Sequence, residues 1–182
     1  LLKNDEQILP LKASEKIAFI GGFAKKPRFQ GGGSSHINCF KITNALDSVP
    51  SDAQVTYAEG FPADKDLYDD ALAAEAIKTD KVVIFAGLPD SFESEGYDRS
   101  HMRLPECQNR LIAEILKVQP NTVIVLHNGS PVELPWLNDI KGLLEAYLGG
   151  QAGGTAVANI LYGKVNPSGK LAETMPLKLS DN

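Results

Sequence analysis

The chain has 182 residues, of which 43% are apolar and 23% are charged, a composition that fits one ordinary globular domain. Its formal net charge is −5, which argues against a nucleic-acid partner because phosphate backbones are bound by clustered Lys and Arg. The basic residues are scattered, and we expect their one local group, Lys25, Lys26 and Arg28, to form a solvated loop. Since no apolar run has the length of a membrane span, we also expect no membrane partner.

The first twelve residues, LLKNDEQILPLK, include no initiator Met and are typical of the interior of a longer protein. Cys39 and Cys107 are far apart, and the three histidines are dispersed. These spacings exclude a disulfide scaffold, leave a single disulfide open, and lack the pattern of a metal site. We expect neither a metal nor a cofactor.

Short apolar runs rich in Val and Ile alternate with helical patterns along the chain. The runs predict buried strands of a parallel sheet at 16–21, 54–58, 81–87, 121–126 and 142–147. Apolar residues at helical spacing predict helices at 67–77, 104–116 and 152–161, and a looser pattern predicts a first helix at 37–46. This alternation predicts an α/β fold, a three-layer sandwich in which helices cover both faces of a mostly parallel sheet.

The long loops all follow predicted strands, at 21–35, 87–104, 127–131 and 148–154. The carboxyl ends of parallel strands meet at one edge of a sheet, and ligands bind there in open α/β folds. Glycine and polar residues gather in these loops. We therefore take this edge as the candidate functional edge.

The loop at 87–104 combines acidic, basic and aromatic side chains, namely Asp90, Phe92, Glu93, Glu95, Tyr97, Asp98 and Arg99. A carboxyl near an aromatic ring or a second carboxylate has a raised pKa and can donate a proton near neutral pH. Arg99 could instead hold a neighbouring carboxylate ionised and fixed. The composition alone fits a solvated acidic loop with a local salt bridge equally well.

The glycine-rich segment 31–35 has two interpretations. A phosphate cradle at a helix N-terminus, with Glu59 as a ribose-binding acid, would indicate a nucleotide- or flavin-binding module, but the glycine spacing fits no such motif. We favour a turn in which Ser34 or Ser35 caps the next helix and in which the glycines let a neighbouring surface approach closely. The turns at 127–131 and 149–154 are interpreted as structural, since the first lacks the GxSxG of a serine hydrolase.

Six segments in order resemble the C-terminal domain of family 3 glycoside hydrolases, β-glucosidases among them. They are LLKND…ILPL, FQGGGSS, GLPDSFESEGYDR, VIVLHNGSPVE, YLGGQ and GKVNPSGKLAETMP. The resemblance covers essentially the whole chain, with the domain at 1–176 and the start of a linker at 177–182. It implies a sheet of about six strands and an upstream (β/α)8 domain of the same polypeptide that carries the nucleophilic Asp.

The resemblance also implies the general acid/base of a retaining β-glycosidase that acts on a β-glucoside or a similar oligosaccharide. The match to the SEGYDR segment assigns this role to Glu95, with Glu93 as the runner-up. In an extended segment the two side chains point in opposite directions, so only one would face the sugar. By itself the domain is expected to be inactive. A non-catalytic carbohydrate-binding domain is a further alternative.

Four other residues of this loop receive supporting roles from the same match. We expect Asp98 and Arg99 to brace the loop. Phe92 or Tyr97 could line a sugar subsite, because aromatic faces suit sugar rings, or could pack in the core.

Overall fold

The computed structural model describes residues 1–61, 78–96 and 98–181. These residues form a sheet of six strands: β1 (Lys3–Asn4), β2 (Lys16–Ile20), β3 (Gln54–Ala58), β4 (Lys81–Gly87), β5 (Thr122–His127) and β6 (Gly142–Glu145). Two α-helices, α1 (Glu106–Leu116) and α2 (Gly153–Leu161), lie in the same ranges. The helix predicted at 67–77 lies outside the described residues. No helix within the described ranges is both long and apolar enough to span a membrane.

The strand order across the sheet is β1-β6-β5-β4-β2-β3. Every neighbouring pair is parallel except β1 and β6, which are antiparallel. The mostly parallel sheet is confirmed, and the five predicted strands appear within two residues of their expected bounds. The sequence prediction missed β1, which has 2 residues and therefore no periodic pattern to detect.

Both faces of the sheet are covered, as expected for a three-layer sandwich. Alternate residues of a strand point to opposite faces, and on β4 the residues Val82 and Ile84 pack with α1 while Val83 and Phe85 pack with α2. The core-facing stripe of α1 consists of Cys107, Leu111, Ile112 and Ile115. Complete burial of an aliphatic side chain contributes about 1.5–3 kcal/mol to the free energy of unfolding. The burial of this stripe against the sheet therefore holds α1 firmly in place.

The helix predicted at 37–46 is wrong, because this part of the chain forms no α-helix and caps α2 instead. Thr43 donates its backbone N–H to the carbonyl of Gln151 at 2.9 Å, and its hydroxyl accepts the N–H of Thr155 at 3.1 Å. Gly154 permits this approach, since a Cβ there would overlap the backbone of Asn44. Tertiary hydrogen bonds thus replace helical ones. Because no helix directly follows the glycine-rich segment, neither Ser34 nor Ser35 is the helix cap that the sequence predicted.

Candidate functional site

The loop that leaves β4 lies at the carboxyl edge of the sheet, and its first residue is fixed by a buried glutamine. Gln108 of α1, which is 1% exposed, bonds both the N–H and the carbonyl of Gly87 at 2.9 Å. Gly87 also packs tightly on β5, where a Cβ would overlap the backbone of His127. These contacts set the direction in which the loop leaves the sheet. Sequence reasoning missed Gln108, although an amide inside an apolar helical stripe is a usable signal.

Glu93 is enclosed by hydrogen-bond donors. Its Oε1 accepts a hydrogen bond from the hydroxyl of Ser130, and its Oε2 accepts one from Nη1 of Arg28 and one from the backbone N–H of Gly129 at 2.9 Å. Burial alone would raise the pKa of this carboxyl, but the bonds from Ser130, Gly129 and Arg28 hold the pKa of Glu93 below its ordinary value. A carboxylate stabilised in this way is a poor proton donor.

Arg28 corrects the expectation of a solvated loop, because its side chain is only 4% exposed. Its Nε bonds Oδ1 of Asp90 at 3.0 Å, its Nη1 bonds the carbonyl of Leu88 at 2.9 Å, and its Nη2 bonds the carbonyl of Glu93 at 2.9 Å. A planar guanidinium can serve several acceptors at once, which an ammonium group cannot do in the same geometry. Its two lysine neighbours in the basic group are exposed, as expected.

The hydroxyl of Ser130 connects the two ends of the segment 93–99. It donates to Oε1 of Glu93 and accepts from Nη2 of Arg99 at 2.8 Å, and the same Nη2 bonds the carbonyl of Pro131 at 2.9 Å. The turn after β5 is therefore more than a tight connection. It holds both ends of the segment whose middle carries Glu95.

Glu95 is exposed at the sheet edge and rests on the glycine-rich segment. Its Oε2 accepts the backbone N–H of Ser34 at 2.6 Å, and bonds from the side chain and backbone of Ser34 lower the pKa of Glu95. Gly33 has a φ of +89°, and a Cβ there would overlap the side chain of Glu95. The glycines thus allow the close approach of a neighbouring surface that the sequence predicted, and that surface is the loop that carries Glu95.

The remaining candidates of the loop differ in their surroundings. Phe92 is partly buried against the core, and its ring lies edge-on to His101 with the centroids 6.3 Å apart, which is a packing contact. Asp98 is exposed. Arg99 holds the turn after β5, as described above. Tyr97 lies outside the described residues.

Buried polar groups at the carboxyl ends of β5 and β6 were not anticipated from the sequence. His127 and Asn128 are 4% and 0% exposed, and burial lowers the pKa of His127 to about 4. Burial raises the pKa of Glu145 to about 7, while Oε1 of Glu145 accepts the backbone N–H of Tyr147 at 2.9 Å. This cluster lies beside the candidate edge. Because burial shifts the pKa values of His127 and Glu145, the free energy of unfolding depends on pH.

The described residues contain no group of three His, Cys, Asp or Glu side chains that could hold a metal ion. Cys39 and Cys107 are not joined by a disulfide, so the disulfide that the sequence left open does not form. The described side chains at this edge present carboxylates, a hydroxyl and guanidinium groups.

Comparisons with known proteins give a consistent assignment. The family model described as the glycosyl hydrolase family 3 C-terminal domain matches residues 1–182. The thermostable beta-glucosidase B of Acetivibrio thermocellus is 53% identical over 190 residues, which cover 100% of this chain and 25% of that protein. The exo-alpha-(1->6)-L-arabinopyranosidase of Bifidobacterium longum is 44% identical over 197 residues, which cover 100% of this chain and 26% of that protein.

A solved structure agrees with these relatives. The crystal structure of the GH3 beta-glucosidase of Bifidobacterium adolescentis superposes with a TM-score of 0.91 and 46% identity, covering 99% of this chain and 27% of that one. The chain thus spans about a quarter of the length of the relatives it matches. These relatives are glycoside hydrolases, and this chain belongs to the glycosyl hydrolase family 3 C-terminal domain family.

Proposed function

We propose that this domain supplies the general acid/base of a retaining β-glycosidase and that Glu95 is the residue that performs this role. One observation carries the assignment. Of the two glutamates in the loop, Glu95 is exposed at the carboxyl edge of the sheet, whereas Glu93 is enclosed by Arg28, Ser130 and Gly129. Only Glu95 is free to meet a substrate held by a second domain.

In this proposal the nucleophile is an Asp on an upstream (β/α)8 domain of the same polypeptide. A retaining glycosidase places two carboxyls about 5–5.5 Å apart across the scissile bond. Glu95 protonates the departing glycosidic oxygen in the first step and, as a carboxylate, takes a proton from the attacking water in the second. The domain alone holds one of the two groups and is expected to be inactive.

The pKa of Glu95 has to rise for the first step. In the exposed loop the hydrogen bonds from Ser34 lower it. When a second domain covers the edge, water is displaced and the nucleophilic carboxylate comes close, and both changes favour the protonated form. The bond from the Ser34 N–H would then hold the carboxylate in place when it acts as the base.

The substrate class we propose is a terminal β-D-glucosyl residue or a similar sugar. Two of the relatives described above are beta-glucosidases by name, and one is an arabinopyranosidase. The arabinopyranosidase is named for a different sugar, yet its matching region is 44% identical to this chain. This similarity supports the proposal that most of the sugar specificity lies on the other domain. A nucleotide or flavin is disfavoured, because the glycine-rich segment packs against the carboxylate of Glu95, which would repel a phosphate.

The test uses the intact enzyme with both domains and compares Glu95→Gln with Glu106→Gln, an exposed glutamate at the start of α1. Acid catalysis matters most when the leaving group is poor. Glu95→Gln should lower kcat/KM for an alkyl β-glucoside by about 10²–10⁴-fold and lower it far less for a dinitrophenyl β-glucoside. Glu106→Gln should retain wild-type rates on both. Wild-type turnover of the alkyl glucoside by Glu95→Gln would exclude the assignment.

A further inference from the structure

We propose that Arg28 is a positioning residue for the acid/base step, and that it acts through Glu93 to keep Glu95 in place. This inference rests on the proposed function, because it requires Glu95 to be the acid/base. It assigns the runner-up glutamate a different role, as a fixed anion that never transfers a proton.

The guanidinium group of Arg28 reaches from one loop to another. Arg28 lies in the segment after β2. Its side chain nevertheless bonds Leu88, Asp90 and Glu93, which lie at the start of the loop after β4. Two of these acceptors are backbone carbonyls, so the contact fixes the path of the main chain. Because the side chain is 4% exposed, water does not replace these bonds easily.

The Glu93 carboxylate lies between two cations. It accepts a bond from Arg28 directly, and it lies one hydroxyl away from Arg99, since Ser130 donates to Glu93 and accepts from Arg99. Without the negative charge of Glu93, the Arg28 and Arg99 guanidinium groups would face each other across a half-buried space. Like charges destabilise such an arrangement. Glu93 therefore links the loop to the turn after β5 and keeps both arginines in their positions.

Glu95 is connected to this network through the chain. Glu95 is two residues from the anchored Glu93 and four residues from the anchored Arg99, and its carboxylate is steadied from the other side by Ser34. A misplacement of about 1 Å in a catalytic group can cost about 10²-fold in rate. Loosening the Arg28 contacts would move Glu95 by allowing the loop to relax toward solvent.

A purely structural role of Arg28 would have a different kinetic signature. A variant that only reduces the fraction of folded enzyme lowers kcat/KM of every substrate by the same factor. A variant that displaces Glu95 lowers kcat/KM more for substrates with poor leaving groups than for substrates with good ones, because kcat/KM reports the first step and only poor leaving groups depend strongly on proton donation in it. The ratio of the two kcat/KM values therefore separates positioning from folding.

The experiment is carried out on the intact enzyme with both domains, using Arg28→Lys, Arg28→Met and Glu93→Gln. Arg28→Lys keeps the charge but cannot bond all four acceptor atoms on Leu88, Asp90 and Glu93. We expect kcat/KM for an alkyl β-glucoside to fall by about tenfold or more in each variant, and kcat/KM for a dinitrophenyl β-glucoside to fall by less than about threefold. Lys26→Met removes an exposed charge from the same segment and should leave both rates unchanged.

Circular dichroism and a thermal melt check that each variant is folded. If Arg28→Met does not fold, Arg28→Lys and Glu93→Gln carry the test. Equal losses on both substrates, or no loss in folded Arg28→Lys and Glu93→Gln, would overturn the inference. If Glu95→Gln itself shows no dependence on the leaving group, the proposed function fails. If Glu95→Gln shows that dependence and the other variants do not, only the positioning role fails.

Discussion

The carboxylates of Glu93 and Glu95 lie in one loop, two residues apart, but bind to different parts of the molecule. Glu93 accepts bonds from Arg28, Ser130 and Gly129, whereas Glu95 accepts the N–H of Ser34 at the exposed edge. The difference arises because the two side chains leave the loop in opposite directions, one toward the β5 turn and one toward the glycine-rich segment. One glutamate is thus used to hold the loop, and the other remains available for chemistry.

The glycine-rich segment gives a direct prediction about Glu95. Gly33→Ala places a Cβ in the space of the Glu95 side chain at a φ of +89°, a conformation that costs an alanine about 1–2 kcal/mol. We expect the carboxylate to be displaced and kcat for an alkyl β-glucoside to fall by about tenfold or more in the intact enzyme. The matched control is Gly150→Ala, where φ is +68° and no atom lies within 4 Å of the new Cβ. If both variants lower that kcat equally, the contact with Glu95 is not the cause.

Gln108 gives a prediction about stability. Gln108→Leu keeps the apolar stripe of α1 but removes both bonds to the backbone of Gly87. An unpaired buried polar group costs about 1–3 kcal/mol, so we expect the free energy of unfolding to fall by about 2 kcal/mol or more in urea denaturation. Gln54→Leu, at an exposed position of β3, should change it by less than about 0.5 kcal/mol. Equal stability of the Gln108 variant and the wild type would refute this role.

Glu145 gives a prediction about pH. Burial raises the pKa of Glu145 from 4.5 to about 7, so the folded chain holds a proton that the unfolded chain releases between those values. The stability that this carboxyl contributes is complete below pH 4.5 and is lost as the pH rises through 7. Glu145→Gln should therefore gain stability relative to the wild type between pH 5 and pH 8, by on the order of 3 kcal/mol.

The measurement is the free energy of unfolding of both proteins in urea at the two pH values. The titration of His127, whose pKa is lowered to about 4 by burial, is common to both proteins and drops out of the comparison. A difference between Glu145→Gln and the wild type that stays constant at the two pH values would mean that the Glu145 carboxyl is ionised in the folded chain.

The sheet was predictable because its central strands are buried on both faces, and burial of this kind produces continuous Val and Ile runs. The helix at 37–46 was not predictable in the same way. Its apolar residues Ile37, Phe40 and Ile42 are exposed, and the backbone is held by Gln151 and Thr155 through contacts that a local pattern does not contain. In this segment, tertiary hydrogen bonds outweigh the local helix propensity.

The sequence predicted which loop and which edge of the sheet form the site, but it did not predict the hydrogen-bond network within the site. Parallel topology alone brings the loops after β2, β4 and β5 together, and this placed the acidic loop correctly. The partners within the network are distant in sequence, since Arg28 and Glu93 are 65 residues apart and Ser130 and Glu93 are 37 apart. Periodicity carries no information at those separations, so the sequence alone predicts a solvated loop for Arg28.

The central claim, that Glu95 donates and later accepts the proton, is tested most directly by chemical rescue. In the intact enzyme, Glu95→Ala removes the base needed to activate water but leaves room for a small anionic nucleophile. With a dinitrophenyl β-glucoside, added azide should raise kcat by about tenfold or more, and nuclear magnetic resonance should identify β-glucosyl azide with retained configuration. Azide should not accelerate the Glu106→Ala control. No rescue, no glucosyl azide and near-wild-type hydrolysis of alkyl β-glucosides by Glu95→Ala would contradict the account.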